Sequence, residues 1–85
     1  MKDKIAVVTG GTKGIGYSIA EHLLKAGARV FICARDKTDL KNALEQLAAH
    51  GRAEGEICDV RSESQVRMML DEAARVFGGL DILVN

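Results

Sequence analysis

The sequence has no excess of charge of either sign, no long apolar run and only two cysteines. Twelve basic and twelve acidic residues give a formal net charge of zero, so nothing attracts the chain to nucleic acid or to an anionic membrane. No apolar run approaches the ~18 residues that cross a bilayer. The short apolar run after Met1-Lys2-Asp3-Lys4 does not resemble a signal peptide. We therefore expect a cytoplasmic protein with no nucleic-acid or membrane partner and with reduced cysteines.

The composition is typical of one small folded domain, which we expect to cover residues 1–85. Hydrophobic residues make up 47% of the chain and charged residues 28%. A domain of this size buries a smaller fraction of its surface than a larger one does. The high apolar content therefore indicates a larger core than 85 residues build alone.

Short apolar runs alternate with helical patterns along the chain. Strands are predicted near residues 5–9, 29–33, 53–57 and 81–85, and helices near 15–26, 38–47 and 62–77. Thr38 is predicted to cap the second helix and Gly51 to stop it, while Ser62 and Gln65 form a capping box for the third. This alternation predicts an α/β fold with parallel strands in a Rossmann-type open sheet, covered by helices on both faces.

The first strand is followed by the glycine-rich turn Thr9-Gly10-Gly11-Thr12-Lys13-Gly14-Ile15-Gly16. Glycines let the backbone turn tightly there, and the N-terminus of the next helix attracts a diphosphate. Lys13 is followed by Gly14, which excludes a Walker A phosphate loop. An ordinary glycine-rich turn is the alternative, but the position between a strand and a helix favours dinucleotide binding.

Three segments together resemble the short-chain dehydrogenase/reductase family. The glycine-rich turn matches that family's T-G-x-x-x-G-I-G motif, Cys58-Asp59-Val60 falls at its strand-three motif, and Leu83-Val84-Asn85 resembles the opening of its L-V-N-N-A-G motif. Reductases of the tropinone-reductase and 3-oxoacyl-carrier-protein-reductase type are the most similar. The resemblance implies the sheet order 3-2-1-4 and identifies the chain as the first half of a doubly wound, dinucleotide-binding domain, ending at strand four.

The resemblance also implies roles for individual residues. A cradle for the diphosphate and ribose is expected from Gly10, Gly14, Ile15 and Gly16. Thr12 and Lys13 are expected beside the adenosine ribose. Asp59 is expected to accept a hydrogen bond from the adenine amino group, with Val60 against the ring. Asn85 is expected to line the cofactor cleft.

The residues after the second strand favour NADP(H) over NAD(H). Asp36 follows the glycine-rich turn by about 20 residues, which is the usual spacing of an acid that binds the 2′-hydroxyl of the NAD ribose. However, the strand is predicted to end near Cys33, and the NAD-selecting acid of the family aligns with Ala34. Arg35 occupies the next position, where NADP-dependent members have a basic residue, and Lys13 adds a second cation.

The resemblance implies an oxidoreductase that transfers hydride between a nicotinamide and a small carbonyl or alcohol substrate. The family's catalytic Ser, Tyr and Lys are expected outside this chain, because Tyr17, the only tyrosine, lacks the Tyr-x-x-x-Lys spacing. The 85 residues alone are therefore expected to be inactive, and the parent enzyme to be a homo-oligomer. The alternative is a free-standing nucleotide-binding or scaffolding module. No metal site is expected, since His22 and His50 have no partners at ligand spacing.

Overall fold

The computed structural model describes residues 1–85, in which four strands alternate with three helices. The strands are β1 (Ile5–Thr9), β2 (Arg29–Ala34), β3 (Ala53–Ile57) and β4 (Ile82–Val84). The helices are α1 (Gly14–Lys25), α2 (Lys37–Leu47) and α3 (Glu63–Phe77). None of these helices combines the length and the apolar composition that crossing a lipid bilayer requires.

The strands form one parallel sheet in the order β3-β2-β1-β4, as the sequence predicts. Ala6 of β1 lies opposite Val30 of β2 and Ile82 of β4, while β3 pairs only with β2. Every connection crosses over through a helix, so the carboxyl ends of all four strands meet at one edge of the sheet.

The helices cover both faces of the sheet and divide the core into two layers. Alternate residues of β1 and β2 point to opposite faces, so Ala6 and Val8 pack under α1 and α2, while Ile5 and Val7 pack under α3. In the α3 layer, the rings of Phe31 and Phe77 meet edge to face at 6.4 Å. The buried, β-branched character of β1 and β2 follows from this cover on both faces.

The start and the end of α2 differ from the prediction. The carboxylate of Asp36 accepts the Asp39 amide at 2.9 Å, so Asp36 is the N-cap and Thr38 lies within the helix. The Thr38 prediction is wrong because the helix begins a turn before its first buried residue, Leu40. The predicted stop at Gly51 is also late, since the helix ends at Leu47.

Half of the predicted capping box at α3 is present. The Ser62 hydroxyl accepts the Gln65 amide at 3.3 Å, as predicted. The Gln65 side chain does not return to the Ser62 amide and instead accepts the amide of Asp59 at 2.8 Å. This bond ties the loop after β3 to the first turn of α3.

Candidate functional site

The loop between β1 and α1 is shaped by glycines at the carboxyl edge of the sheet. Gly10 has a φ of 67° and Gly14 a φ of 57°, in the left-handed region that favours glycine. Gly16 packs directly on the backbone of Gly10, where a β-carbon would overlap with the Gly10 carbonyl oxygen. The loop therefore lies tightly against the helix that follows it.

The N-terminus of α1 opens at this loop without a side-chain cap. Lys13 is the N-cap and makes no capping hydrogen bond, and the first turn contains no acidic residue. The Tyr17 amide bonds to the Lys13 carbonyl at 3.3 Å, so the amides of Gly14, Ile15 and Gly16 precede the helical hydrogen bonds. Ile15 is 81% exposed. This end of the helix can accept an anion through backbone N–H groups.

A cavity of about 520 Å³ lies at the carboxyl ends of β1, β2 and β3. It contains four of the residues predicted to bind the cofactor, namely Gly10, Thr12, Arg35 and Val60. The remainder of its lining is Cys33, Ala34, Asp36, Asp39 and Cys58. The structure thus brings the glycine loop and the segments after β2 and β3 around one space.

Arg35 is the one cationic residue that lines this cavity. It directly follows β2, its side chain is exposed, and it forms no ion pair with an acidic side chain. Its neighbour Asp36 also lines the cavity, but one oxygen of that carboxylate is occupied by the Asp39 amide. The guanidinium is therefore available to an anionic group in the cavity.

Lys13 lies beside a second, smaller cavity of about 310 Å³ between α1 and α2. Its ammonium group pairs with the Asp39 carboxylate at 3.1 Å. Thr12 and Asp39 line both cavities, whereas Lys13, Gly14 and Tyr17 line only the smaller one. Lys13 thus belongs to the lining of the smaller cavity and reaches the larger one only through its ion pair with Asp39.

Asp59 lines neither cavity, and its carboxylate is bound by Arg61. The Asp59 oxygens accept hydrogen bonds from Arg61 Nε at 3.1 Å, Nη2 at 2.9 Å and the backbone amide at 2.9 Å. These charge-assisted hydrogen bonds lower the pKa of Asp59 from 3.8 to about 2. Its neighbour Val60, in contrast, has an exposed side chain at the cavity.

Cys33 and Cys58 form the deeply buried wall of the larger cavity. Both are free thiols, as the sequence predicts, and both are buried. Burial raises the pKa of the Cys33 thiol to about 11, against the opposing hydrogen bond from the Gly10 backbone, and the neighbouring Cys58 raises it further. A neutral, unreactive Cys33 thiol follows from this environment.

Asn85 is exposed and follows β4 at the edge strand of the sheet. The adjacent Val84 carbonyl accepts a hydrogen bond from the Thr9 hydroxyl at 3.2 Å, which joins the end of β4 to the start of the glycine loop. Asn85 lines neither cavity. The structure therefore places it at the same sheet edge as the glycine loop but outside the space bordered by Arg35.

Sequence reasoning missed Asp39, which borders both cavities and binds Lys13. A signal was available, because Asp39 is an acidic residue in the first turn of a helix that starts at the carboxyl edge of the sheet. Its pairing with a lysine in another loop depends on the tertiary fold and has no local pattern.

The parallel sheet order, the glycine loop and the adjoining cavity define a Rossmann-type fold with a nucleotide site at the carboxyl edge of its strands. Residues 4–85 match the family model described as short chain dehydrogenase. The chain belongs to the short-chain dehydrogenase family, and it corresponds to the N-terminal nucleotide-binding part of these oxidoreductases.

Two relatives illustrate the similarity in sequence. The rhamnolipid-biosynthesis 3-oxoacyl-acyl-carrier-protein reductase of Pseudomonas aeruginosa is 45% identical over 82 residues, which is 96% of this chain and 32% of the relative. A tropinone reductase homolog of Datura stramonium is 41% identical over 87 residues, covering 100% of this chain and 32% of the relative. The chain thus spans about a third of the length of the curated relatives it matches.

Solved structures show the same fold. A variant of the actinorhodin polyketide ketoreductase, crystallised with NADPH, superposes with a TM-score of 0.95 at 39% identity, over 100% of this chain and 34% of that protein. The L-sorbose reductase of Gluconobacter frateurii, complexed with NADPH and L-sorbose, gives a TM-score of 0.94 at 36% identity, over 100% of this chain and 33% of that protein.

Proposed function

We propose that this chain binds NADP(H) and that the protein uses it to transfer hydride between the nicotinamide and a small carbonyl or alcohol substrate. The observation that carries the proposal is the exposed Arg35, which lines the cavity and forms no ion pair. An arginine in this place suits the dianionic 2′-phosphate that distinguishes NADP(H) from NAD(H). Two structural neighbours are complexes with NADPH, which supports the same choice.

The residues around the cavity suit the chemical groups of an adenosine phosphate. Val60 offers an exposed apolar surface to the adenine ring, and Thr12 borders the space where the ribose would lie. The backbone of Gly10 and the first amides of α1, from Gly14 to Gly16, would hold the diphosphate. When bound, the nicotinamide of NADP(H) supplies hydride donation or acceptance.

NAD(H) remains the less favoured cofactor. Its ribose 2′-hydroxyl is usually bound by an acid at the end of the second strand. Here Asp36 is the nearest acid, and one of its oxygens already caps α2 through the Asp39 amide. Ala34, at the end of β2, offers no acceptor side chain.

Asp59 is proposed to bind the adenine amino group and Asn85 to line the cofactor cleft, although neither residue borders the larger cavity. The amide and carboxylate of Asp59 fix the loop that carries Val60. To bind the adenine amino group, the carboxylate would share its oxygens between adenine and Arg61. Asn85 is proposed to border the cleft beyond the end of β4, next to the glycine loop that Thr9 joins to that strand.

The substrate step is proposed for the whole protein, with the Ser, Tyr and Lys of the family supplied outside these 85 residues. The substrate is a small carbonyl or alcohol, and a homo-oligomer is the proposed assembly. A free-standing nucleotide-binding module is the second candidate, since these residues contain a nucleotide site without a proton donor for catalysis. Carbonyl-dependent oxidation of NADPH by the whole protein supports the enzyme, and tight NADPH binding by the whole protein without turnover supports the module.

The cofactor proposal is tested by replacing Arg35 with alanine. Loss of a hydrogen bond to a charged group costs about 1.5–3 kcal/mol, so we expect Arg35→Ala to weaken NADPH binding by about 10- to 140-fold. NADH binding should change less than about twofold, because NADH lacks the phosphate. Fluorescence titration with each nucleotide measures both effects.

Arg67→Ala is the matched control, because it removes a cation from α3 at a position that borders neither cavity. It should leave both affinities unchanged. An equal loss for NADPH and NADH in Arg35→Ala would contradict the assignment and transfer cofactor recognition to Asp36.

A further inference from the structure

Asp39 lies between the two cavities and holds the lysine of the glycine loop. Its carboxylate is 3.1 Å from the Lys13 ammonium group and is 35% exposed, whereas the lysine side chain is 76% exposed. Asp39 also borders the larger cavity together with Arg35. The same residue thus borders the proposed cofactor space and forms an ion pair with Lys13, one of the two cations proposed to bind the cofactor.

The backbone fixes Asp39 in this place. The Asp36 carboxylate accepts the Asp39 amide at 2.9 Å, and Leu40, the next residue, is buried in the core. The first turn of a helix favours an acidic side chain, because its unpaired N–H groups carry partial positive charge. The Asp39 side chain is therefore anchored at this position before any nucleotide binds.

A phosphate dianion beside Arg35 would meet this carboxylate across the same cavity. Arg35 attracts the phosphate, Asp39 repels it, and Lys13 is engaged in its ion pair with Asp39. Exposed ion pairs are weak, so the phosphate can compete with Asp39 for Lys13. Because the Lys13–Asp39 pair must then be broken, the contact between Lys13 and the phosphate adds less to the affinity for NADP(H).

We propose that Asp39 is a specificity-determining residue that limits the affinity for the 2′-phosphate of NADP(H), by repelling it and by retaining Lys13. This inference rests on the proposed NADP(H) function and deepens it. If the Lys13–Asp39 pair affects the choice of cofactor in this way, neutralising Asp39 strengthens the binding of NADP(H) and leaves the binding of NAD(H) unchanged.

The opposite role is that Asp39 holds Lys13 in position to contact the phosphate. In that case neutralising Asp39 would weaken NADPH binding. The geometry favours competition, because Lys13 borders the smaller cavity and not the one that contains Arg35. The two roles predict changes of opposite sign.

The test is Asp39→Asn in the purified protein, titrated with NADPH and with NADH. We expect the dissociation constant for NADPH to fall about 3- to 10-fold, the scale of one partly exposed charge contact, and that for NADH to change less than about twofold. The ratio of the two constants is the readout, because partial unfolding of the variant would affect both nucleotides equally. Unchanged or weaker NADPH binding overturns the proposal.

Glu45→Gln is the matched control, because it removes an exposed negative charge from α2 at a position that borders neither cavity. It should leave the ratio unchanged. In a Lys13→Gln background, Asp39→Asn should give a smaller gain, since only direct repulsion remains to be relieved. An equally large gain in that background overturns the part of the proposal that involves Lys13.

Failure of this inference is distinguishable from failure of the proposed function. If the unsubstituted protein binds NADPH more tightly than NADH and Asp39→Asn does not increase the difference, only the role of Asp39 is overturned. If the unsubstituted protein does not prefer NADPH, the cofactor assignment fails and the role of Asp39 fails with it.

Discussion

Gly16 shows how one residue sets the shape of the nucleotide loop. A methyl group on Gly16 would overlap with the Gly10 carbonyl oxygen, so Gly16→Ala must displace the loop. We expect this substitution to lower the free energy of unfolding by about 1–3 kcal/mol, as for other overpacked sites, and to weaken NADPH binding. Chemical denaturation and fluorescence titration measure the two effects.

Gly78→Ala provides the comparison for Gly16→Ala. Gly78 ends α3 with a φ of 85° and has open space where a β-carbon would lie. Its replacement should cost about 1–2 kcal/mol through the left-handed backbone alone, with no effect on nucleotide binding. Unchanged NADPH binding in Gly16→Ala would contradict the claim that this close approach shapes the site.

The Asp59–Arg61 pair predicts a local dependence on pH. Asp59 has its pKa lowered to about 2 by hydrogen bonds from Arg61. Because the pKa is lower in the folded state, the pair stabilises the fold above pH 3.8, and this contribution is lost as the pH falls toward 2. We expect Arg61→Ala to raise the Asp59 pKa toward 3.8, which a carboxyl NMR titration measures.

Arg67→Ala again serves as the control for this titration, because Arg67 pairs with Glu63 rather than with Asp59. It should leave the Asp59 pKa near 2. A pKa for Asp59 that stays near 2 in Arg61→Ala would show that another group holds the carboxylate in its charged form.

At the scale of elements, the N-terminus of α2 depends on Asp36. Asp36→Ala removes the acceptor of the Asp39 amide, and we expect a loss of about 0.5–2 kcal/mol in the free energy of unfolding. Asp36→Asn should retain most of the stability, since asparagine caps helices about as well as aspartate does. Thermal or chemical denaturation measures each variant.

Thr38→Ala distinguishes the observed cap from the one that the sequence predicts. Thr38 lies inside α2 and is exposed, so its replacement should change the free energy of unfolding by less than about 0.5 kcal/mol. A larger loss in Thr38→Ala than in Asp36→Ala would contradict Asp36 as the N-cap and place the cap at Thr38.

Most elements could be predicted from the sequence because their apolar spacing is regular. β1 and α3 were located closely, since Ile5 to Val8 is continuous and Met69, Ala73 and Phe77 recur on one face. The boundaries of α2 could not be predicted as well, because several polar residues before Leu40 are acceptable caps and only the backbone geometry selects Asp36.

At the scale of the whole molecule, the sequence predicts the sheet order and four of the residues that line the larger cavity. Arg35 and Val60 both line that cavity because they follow β2 and β3, which are neighbours in the parallel sheet. The positions of the two residues relative to their strands are enough to predict this proximity. The pairs Lys13–Asp39 and Asp59–Arg61 could not be predicted in the same way. They depend on side-chain geometry, and they decide which charged groups are available to a ligand.

The central claim is that NADP(H) binds with its 2′-phosphate at Arg35. A crystal structure of the protein with NADPH tests this most directly, because it locates the phosphate among the available cations. We expect a phosphate oxygen about 2.7–2.9 Å from the Arg35 guanidinium, with the adenine ring against Val60. A 2′-phosphate out of reach of Arg35, or an adenosine in the smaller cavity beside Tyr17, would contradict the account.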